Sequence, residues 1–300
     1  MSLVSFAKIA QQNHDKFKQS ILDSLNLISY SFPKGLKKVV IKPNMCYYWD
    51  YSTGQTTDPK FVAALIDVIR DQIRPNLEIS IVESDASAMK CKHSFKMLGY
   101  EKLARDKNVK LIDLSEEPYE YVRISSGERS FGIRLPEIIQ KADLKINVPK
   151  IKYATKQIEL TCALKNIFGC NPYPKKFQYH PILGEAIVAA NKAMRFDLCI
   201  IDGNIVSGIQ PRRLGLVMAS HDPVAIDSAA AEIAGLNARK IKYFQLASKE
   251  GLGSIKFIPR GMPMVYFKER YPRKTVKRKV MSRAYNLVRR IGLGAKLGLE

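Results

Sequence analysis

The sequence predicts an α/β domain with a mostly parallel sheet, helices on both faces of the sheet, a small β-hairpin insertion and a basic C-terminal helical tail. Short β-branched segments alternate with helical segments between residues 38 and 113, which is typical of a parallel sheet with right-handed crossovers. Polar side chains follow five of the predicted strands. Ligands of open parallel sheets bind where strands end, so these segments also predict a site.

Apolar side chains at helical spacing within residues 3–29 predict one or two amphipathic helices. A strand that ends in the segment KPNM follows, and a helix then begins at Asp58 as N-cap, with Pro59 in its first turn. The next predicted elements are the strand EISIVES, a helix over residues 88–107, the strand VKLIDL, a hairpin at Ser126-Gly127 within residues 119–134, and the strand DLKINVPKIK.

Residues 153–184 are rich in Thr, Asn, Pro, Tyr and Lys, which predicts a long functional loop. The elements predicted after this loop are the helix EAIVAANKAM, the strands DLCIIDG and LGLVMAS, the helix VAIDSAAAEIAG behind Asp222-Pro223, and a last helix around IKYFQLASKEGLG. We therefore expect a single α/β domain over residues 1–259, with its signature region at 37–255.

Residues 260–300 form a predicted basic tail, in which residues 272–300 have the pattern of a basic amphipathic helix. Such a helix either packs on the body with its charged face outward, or contacts an anionic membrane or nucleic-acid surface. The sequence leaves both interpretations open.

The chain has 49 Lys and Arg against 28 Asp and Glu, a formal net charge of +21. This charge favours acidic ligands or polyanions, although surplus Lys can also be only a solvated surface. No apolar run is long enough for a signal peptide or a membrane span, so we expect a cytoplasmic protein, either free or peripheral at a membrane. The five scattered cysteines contain no C-x-x-C pair, and we expect neither disulfides nor a [4Fe-4S] cluster.

Most candidate ligand-binding residues follow predicted strands, and the others lie in the loop region or on the helix behind Asp222. They are Lys42, Asn44, Glu83, Asp85, Lys150, Lys152, Thr161, Asn166, Gly203, Asp222 and Asp227. We expect them to border one cleft. Several ammonium groups in one cleft favour a carboxylate or phosphate ligand, and a partly buried Lys can have its pKa lowered. Lys175 and Lys176 are interpreted as solvated loop residues.

The candidate catalytic residues are His180, Lys165 and Asp202. His180 is the candidate for proton transfer, although a lone His is as often structural. Lys165 stands between apolar residues in ALKNIFG, where a charge needs a partner. We expect Asp202, Asp222 or Asp227 to be this partner. Whether a metal binds is left open.

Several motifs are missing from the sequence. It has no G-x-G-x-x-G after the first strand, no Walker P-loop, no H-E-x-x-H and no G-x-S-x-G. These absences argue against NAD-type Rossmann binding, P-loop ATP hydrolysis, zincin chemistry and hydrolase triads.

A set of segments resembles the family known as domain of unknown function 362, over residues 37–255. The segments are KPNM, ESDAS, PKIK…T…ALKNIFG, YHPILGEAI, LCIIDG and ASHDPVAIDSAAAEIAGL, of which ALKNIFG and S-x-DPVAID are the most specific. Relatives in this family often carry a ferredoxin-like module with two [4Fe-4S] clusters, which this chain lacks. The lysine that matches Lys152 is typically followed by Thr-His in relatives, where this chain has Tyr153-Ala154.

The function we expect is binding of an acidic small molecule in a Lys- and Asp-lined pocket at the strand ends. Whether the protein also catalyses a reaction, such as a redox step with an external ferredoxin-like electron donor, is left open, and so is the oligomeric state. The alternative is a protein that binds nucleic acid or an anionic membrane through residues 272–300. The sequence shows no RRM, KH or helix-turn-helix signature for the first of these.

Overall fold

A computed structural model describes residues 1–155, 157–173, 175–208 and 210–272 of the chain. Its strands are β1 (Ser2–Lys8), β2 (Lys38–Pro43), β3 (Glu78–Glu83), β4 (Lys110–Asp113), β5 (Tyr119–Ser126), β6 (Arg129–Pro136), β7 (Leu144–Val148), β8 (Lys152–Tyr153), β9 (Leu160–Thr161), β10 (Leu198–Val206), β11 (Arg212–Ser220) and β12 (Phe257–Gly261). Its α-helices are α1 (His14–Leu27), α2 (Pro59–Gln72), α3 (Cys91–Met97), α4 (Tyr100–Lys107), α5 (Glu137–Gln140), α6 (Ala163–Phe168), α7 (Leu183–Ala193), α8 (Pro223–Ile233), α9 (Lys242–Lys249) and α10 (Met264–Arg270). Short 3₁₀ helices span Tyr51–Thr53, Lys176–Ile182 and Ala238–Lys240.

The central sheet has eight strands in the order β12-β1-β11-β10-β7-β2-β3-β4. Strand β11 runs against both of its neighbours, and every other pairing in this sheet is parallel. The predicted mostly parallel sheet is therefore confirmed. The hairpin insertion is confirmed as well, since β5 and β6 pair antiparallel across the turn between Ser126 and Arg129.

Helices cover both faces of the sheet because side chains alternate between the two faces along each strand. Val39 and Ile41 of β2 pack into the apolar core beneath α1, α2 and α4. Val40, between them, packs into the second core, which α6, α7, α8 and α9 cover. The predicted N-cap of α2 is confirmed, since the Asp58 side chain accepts a hydrogen bond from Lys60 N at 2.8 Å.

The prediction of a helix at the very start of the chain is wrong. Residues 2–8 form β1, which lies between β11 and β12. Val4 and Phe6 are buried in one core and Ala7 in the other. A strand buried on both faces is apolar at nearly every position, and its apolar residues can therefore also satisfy a helical spacing. Residues 14–27 are helical, as predicted.

Two further segments differ from their predictions. The helix expected over residues 88–107 is divided into α3 and α4 at Gly99, whose φ of +81° does not belong to a right-handed helix. The predicted loop over residues 153–184 contains the β8–β9 hairpin, α6 and the 3₁₀ helix Lys176–Ile182. These short elements are stabilised by contacts with other parts of the chain, which local sequence does not reveal.

The folded body extends beyond residue 259. Strand β12 pairs with β1 as far as Phe6 opposite Gly261, and Phe267 and Tyr271 are fully buried. Residues 260–272 therefore belong to the domain rather than to a tail. Residues 273–300, to which most of the tail prediction applies, lie outside the described residues. Among the described helices, none has the length and apolar character that crossing a membrane requires.

Gly54 brings the loop before α2 against the end of β10. Its φ is +71°, and a Cβ at this position would collide with the backbone of Val206 and Ser207. Gly35 has a similar φ of +77° but has open space around its Cβ position. We expect Gly54→Ala to lower the free energy of unfolding by about 1–3 kcal/mol more than Gly35→Ala does, since both pay the left-handed strain and only one is overpacked. Urea unfolding of both variants measures the difference, and equal losses would contradict this packing role.

Candidate functional site

A cleft of about 260 Å³ opens at the carboxyl ends of β2 and β3, beside α6 and the 3₁₀ helix Lys176–Ile182. Its polar lining consists of Lys42, Asn44, Cys46, Tyr47, Glu83, Ser84, Ser87, Lys152, Lys165, Asn166, Lys176 and His180. We call it the lysine cleft, after its four lysines. A larger cavity of about 600 Å³, next to the β5–β6 turn, α7 and α9, is lined by none of the predicted site residues.

Lys42 and Glu83 form a buried ion pair on neighbouring parallel strands. Lys42 Nζ lies 2.7 Å from Glu83 Oε2 and donates a further hydrogen bond to the Pro43 carbonyl at 2.6 Å. Their side chains are 1% and 5% exposed. The second oxygen of Glu83 accepts from Ser84 N at 3.0 Å. Each charge is therefore compensated, and removal of one partner from such a pair typically costs about 3–5 kcal/mol.

Three asparagine side chains connect the strand ends to α6. Asn44 Nδ2 donates to Asn166 Oδ1 at 3.1 Å, and Asn166 Nδ2 donates to Asn147 Oδ1 at 2.8 Å. Asn147 Nδ2 donates in turn to the Ala163 carbonyl at 2.9 Å. Asn44 Oδ1 is buried and has no hydrogen-bond partner among the described residues. This chain of amides fixes α6 across β7 and β2, and it leaves one acceptor free.

Helix α6 is capped by a residue from a different helix. Its own N-cap position, Cys162, offers no side-chain hydrogen bond. The Asp227 carboxylate, on α8, accepts from Ala163 N at 2.6 Å and Leu164 N at 3.1 Å. Burial raises the pKa of Asp227 to about 7, although these two N–H donors favour the ionised form. Asp227 thus satisfies first-turn N–H groups that would otherwise be orphaned.

Lys176 is an unexpected member of the cleft. It is 8% exposed, whereas Lys175 is exposed as predicted. Its ammonium group donates to three uncharged oxygens, namely Ser84 Oγ and the carbonyls of Asp85 and Gly169. Burial lowers the pKa of Lys176 to about 8, although the negative charge of Glu83 acts in the opposite direction. The interpretation of Lys176 as a solvated loop residue is wrong.

Lys152 and Lys165 are held by few contacts. Lys152 Nζ donates to the Gln55 carbonyl at 3.0 Å, and burial lowers its pKa to about 8, with the positive charge of Lys165 acting in the same direction. Lys165 is partly exposed, and burial also lowers its pKa. Within the described ranges, Lys165 Nζ takes part in no hydrogen bond and no ion pair.

None of the three aspartates expected to pair with Lys165 does so. Asp227 accepts from backbone N–H groups at the N-terminus of α6. Asp202 pairs with Lys150 at 3.1 Å, with both side chains only 1% exposed. Strand alternation puts Asp202 on the same face as Ile200, towards α2, where Asp202 Oδ2 accepts from Asp58 N at 2.9 Å. The expectation that Asp202 and Lys150 line the cleft is therefore wrong.

Asp222 lies at the opposite end of the strands from the cleft. Strand β11 runs antiparallel to β10, so that Ser220 at its end pairs with Cys199 near the start of β10. Asp222 Oδ1 caps α8 by accepting from Val224 N and Ala225 N at 2.9 and 2.8 Å. The prediction that Asp222 borders the cleft fails because it assumed a parallel strand.

Of the remaining predicted residues, His180 lines the cleft, and the other three lie in elements around it. His180 lines the cleft from the 3₁₀ helix and is exposed. Asp85 accepts from Cys91 N at 2.8 Å at the start of α3 and pairs with Lys90. Thr161 is in β9, opposite Lys152 of β8. Gly203 packs against β11, where a Cβ would lie 2.8 Å from the Leu216 carbonyl.

The prediction from sequence missed Lys176, Cys46 and Ser84. Cys46 directly follows the segment KPNM, and Ser84 is the second residue of the segment ESDAS, so their positions in the sequence already indicated the cleft. No comparable signal distinguishes Lys176 from Lys175. All five cysteines are free thiols. Within the part of the chain that the structure describes, no three His, Cys, Asp or Glu side chains are grouped as metal ligands.

Comparisons with known proteins identify a family, and the chains similar to this one include a thylakoid-associated protein and a lactate racemase. The family model described as "Domain of unknown function (DUF362)" matches residues 39–232. A thylakoid-associated protein from Synechocystis sp. is 28% identical over 238 residues, which cover 74% of this chain and 70% of that protein. The lactate racemase apoprotein from Thermoanaerobacterium thermosaccharolyticum aligns with a TM-score of 0.44 and 13% identity. That alignment covers 79% of this chain but only 58% of the racemase.

The two aspartate caps allow a matched test of how α6 is held. Asp227→Ala and Asp222→Ala should each lower the free energy of unfolding by roughly 2–4 kcal/mol, since each leaves at least two buried N–H groups unsatisfied. Only Asp227→Ala should also weaken ligand binding in the lysine cleft, because α6 carries Lys165 and Asn166. Calorimetric unfolding and ligand titration of both variants measure this. An equal loss of binding in Asp222→Ala would contradict the specific role of Asp227.

Proposed function

We propose that this chain, which belongs to the family described as domain of unknown function 362, binds an acidic small molecule in the lysine cleft. The observation that supports this most is an excess of ammonium groups. The cleft contains four lysines, and Lys42 is the one paired with a carboxylate, that of Glu83. For Lys152, Lys165 and Lys176 the structure gives no carboxylate partner within the described residues. A bound anion would supply the missing negative charge.

The lowered pKa values of Lys152 and Lys176 reflect this excess of ammonium groups. Burial disfavours the ammonium form of Lys152 and Lys176, so both pKa values fall to about 8, in Lys176 despite the opposing charge of Glu83. A carboxylate or phosphate group would reverse part of this penalty. The net charge of +21 would also raise the local concentration of acidic ligands.

The size of the cleft limits the ligand. A volume of about 260 Å³ is slightly below the range of roughly 300–1,000 Å³ that is usual for drug-sized ligands. This favours a small organic acid or phosphate ester over a dinucleotide. The position at the carboxyl ends of parallel strands is the usual ligand position in open α/β sheets.

The pKa values of Lys152 and Lys176 predict the direction in which ligand affinity changes with pH. Affinity for a di- or tricarboxylate should fall between about pH 7 and about pH 9, because Lys152 and Lys176 lose their protons and with them their attraction for the anion. Proton uptake on binding should rise over the same interval. Isothermal titration calorimetry in two buffers of different ionisation enthalpy measures both quantities. An affinity that is constant or rises with pH would contradict the proposal.

Single lysine variants test where the anion binds. Lys152→Met should weaken binding roughly tenfold to hundredfold, which corresponds to the 1.5–3 kcal/mol of a charge-assisted hydrogen bond. Lys175→Met removes the same charge from an exposed neighbour of the cleft and should leave the affinity nearly unchanged. If both variants lose affinity equally, the effect comes from overall charge and not from the lysine cleft.

A second candidate function, association with an anionic membrane surface, is favoured by the similar Synechocystis protein, which is thylakoid-associated. Residues 273–300 contain nine Lys or Arg and a single Glu, and each basic residue near an anionic bilayer contributes about 1 kcal/mol. Deletion of residues 273–300 should therefore abolish sedimentation with anionic phosphatidylglycerol vesicles at low salt. Neutral phosphatidylcholine vesicles are the control. Unchanged sedimentation of the shortened chain, or a several-degree loss of melting temperature without effect on sedimentation, would contradict this function.

A further inference from the structure

The four lysines of the lysine cleft differ in how many hydrogen bonds they donate. An ammonium group has three donors and no acceptor. Lys42 and Lys176 each use all three, and Lys152 donates one to the Gln55 carbonyl. Lys165 Nζ donates none within the described part of the chain. Among the four amines, that of Lys165 is therefore the one without a hydrogen-bond partner in the residues that the structure describes.

We propose that Lys165 Nζ is a nucleophile that forms an imine with the carbonyl carbon of an oxo acid bound in the lysine cleft. This inference rests on the proposed function, since the acid must first be held through its anionic group. Lys152 has donors left to bind that group, Lys176 adds positive charge beside it, and Lys165 is then left to meet the adjacent carbonyl.

The surroundings of Lys165 favour a reactive amine. Burial lowers its pKa, and the positive charge of Lys42 acts in the same direction. A lysine that is desolvated beside another cation is a recognised way of obtaining a neutral amine near neutral pH. Asn44 lines the same cleft, and its buried Oδ1 has no partner within the described residues.

The step balances without an oxidant or a reductant. The nitrogen lone pair of Lys165 forms the N–C bond while the carbonyl π electrons move to oxygen. A proton passes from nitrogen to that oxygen and gives a carbinolamine. The nitrogen lone pair then forms the C=N bond as the C–O bond breaks, and the second proton of the nitrogen passes to the leaving hydroxyl, so that water departs and the imine remains. His180, which lines the cleft, is the residue available to carry these protons.

Hydride trapping tests the inference on the unaltered full-length protein. Pyruvate or 2-oxoglutarate is added with sodium borohydride, which delivers hydride to the imine carbon and fixes the acid to the amine. Glycolaldehyde phosphate forms a second arm and distinguishes a phosphate from a carboxylate as the anionic group. Peptide mass spectrometry should find the label on residue 165, with a mass gain equal to the acid less one oxygen atom. The label should be lost from this position in Lys165→Arg, whose unfolding by heat is checked in parallel.

Binding of lactate, which has no carbonyl to attack, separates the inference from the proposed function. If lactate binds and displaces pyruvate, but borohydride labels Lys165 no more than exposed Lys92, the imine is refuted and anion binding stands. If neither lactate nor the oxo acids nor the phosphate bind, the proposed function itself fails. Label confined to Lys165 and suppressed by excess lactate supports both. Labelling by the oxo acids or by glycolaldehyde phosphate shows whether the anionic group is a carboxylate or a phosphate.

Discussion

Buried ammonium groups at the carboxyl edge of the sheet impose the strongest constraint on this structure. A charge removed from water must find an opposite charge or several acceptors, because leaving it without them costs several kcal/mol. Lys42 meets Glu83 from the next strand, and Lys150 meets Asp202 on the opposite face of the sheet. Both pairs join residues far apart in sequence. They can therefore form only when β2, β3, β7 and β10 are already in register, which ties electrostatics to sheet assembly.

Helix α6 is held in place by polar contacts from other elements. This helix has six residues, too few to be stable alone, and it carries Lys165 and Asn166 into the cleft. Its first turn is capped by Asp227 from α8, and its middle is held by the amide chain through Asn147 and Asn44. Contacts from α8, β7 and β2 thus stabilise a helix whose side chains line the lysine cleft. The function we propose therefore depends on these contacts to α6 as well as on the lysines.

The four lysines of the cleft differ in how fully the protein satisfies the hydrogen-bonding capacity of their ammonium groups, and this difference bears on their chemistry. Lys42 has a carboxylate, Lys176 has three neutral oxygens, and Lys152 has a single carbonyl. Lys42 and Lys176 are held by these bonds and contribute positive charge at fixed positions in the lining of the cleft. Lys152 and Lys165 retain unused bonding capacity, and a ligand can supply what the protein does not. An interior lysine without a partner is unfavourable for folding, and such unfavourable groups are typical of functional sites.

Local patterns in the sequence determined the layered α/β fold, the cap at Asp58, and the strand ends that supply Lys42, Asn44 and Glu83. These features depend on spacing and on residue type, which are visible without partners. Tertiary structure alone decided three others. The antiparallel direction of β11 moved Asp222 to the far edge, the pleat of β10 turned Asp202 towards α2, and a 3₁₀ turn buried Lys176 but not Lys175. Strand direction, facing and burial depend on which distant segments pair, and no local stretch of sequence contains that information.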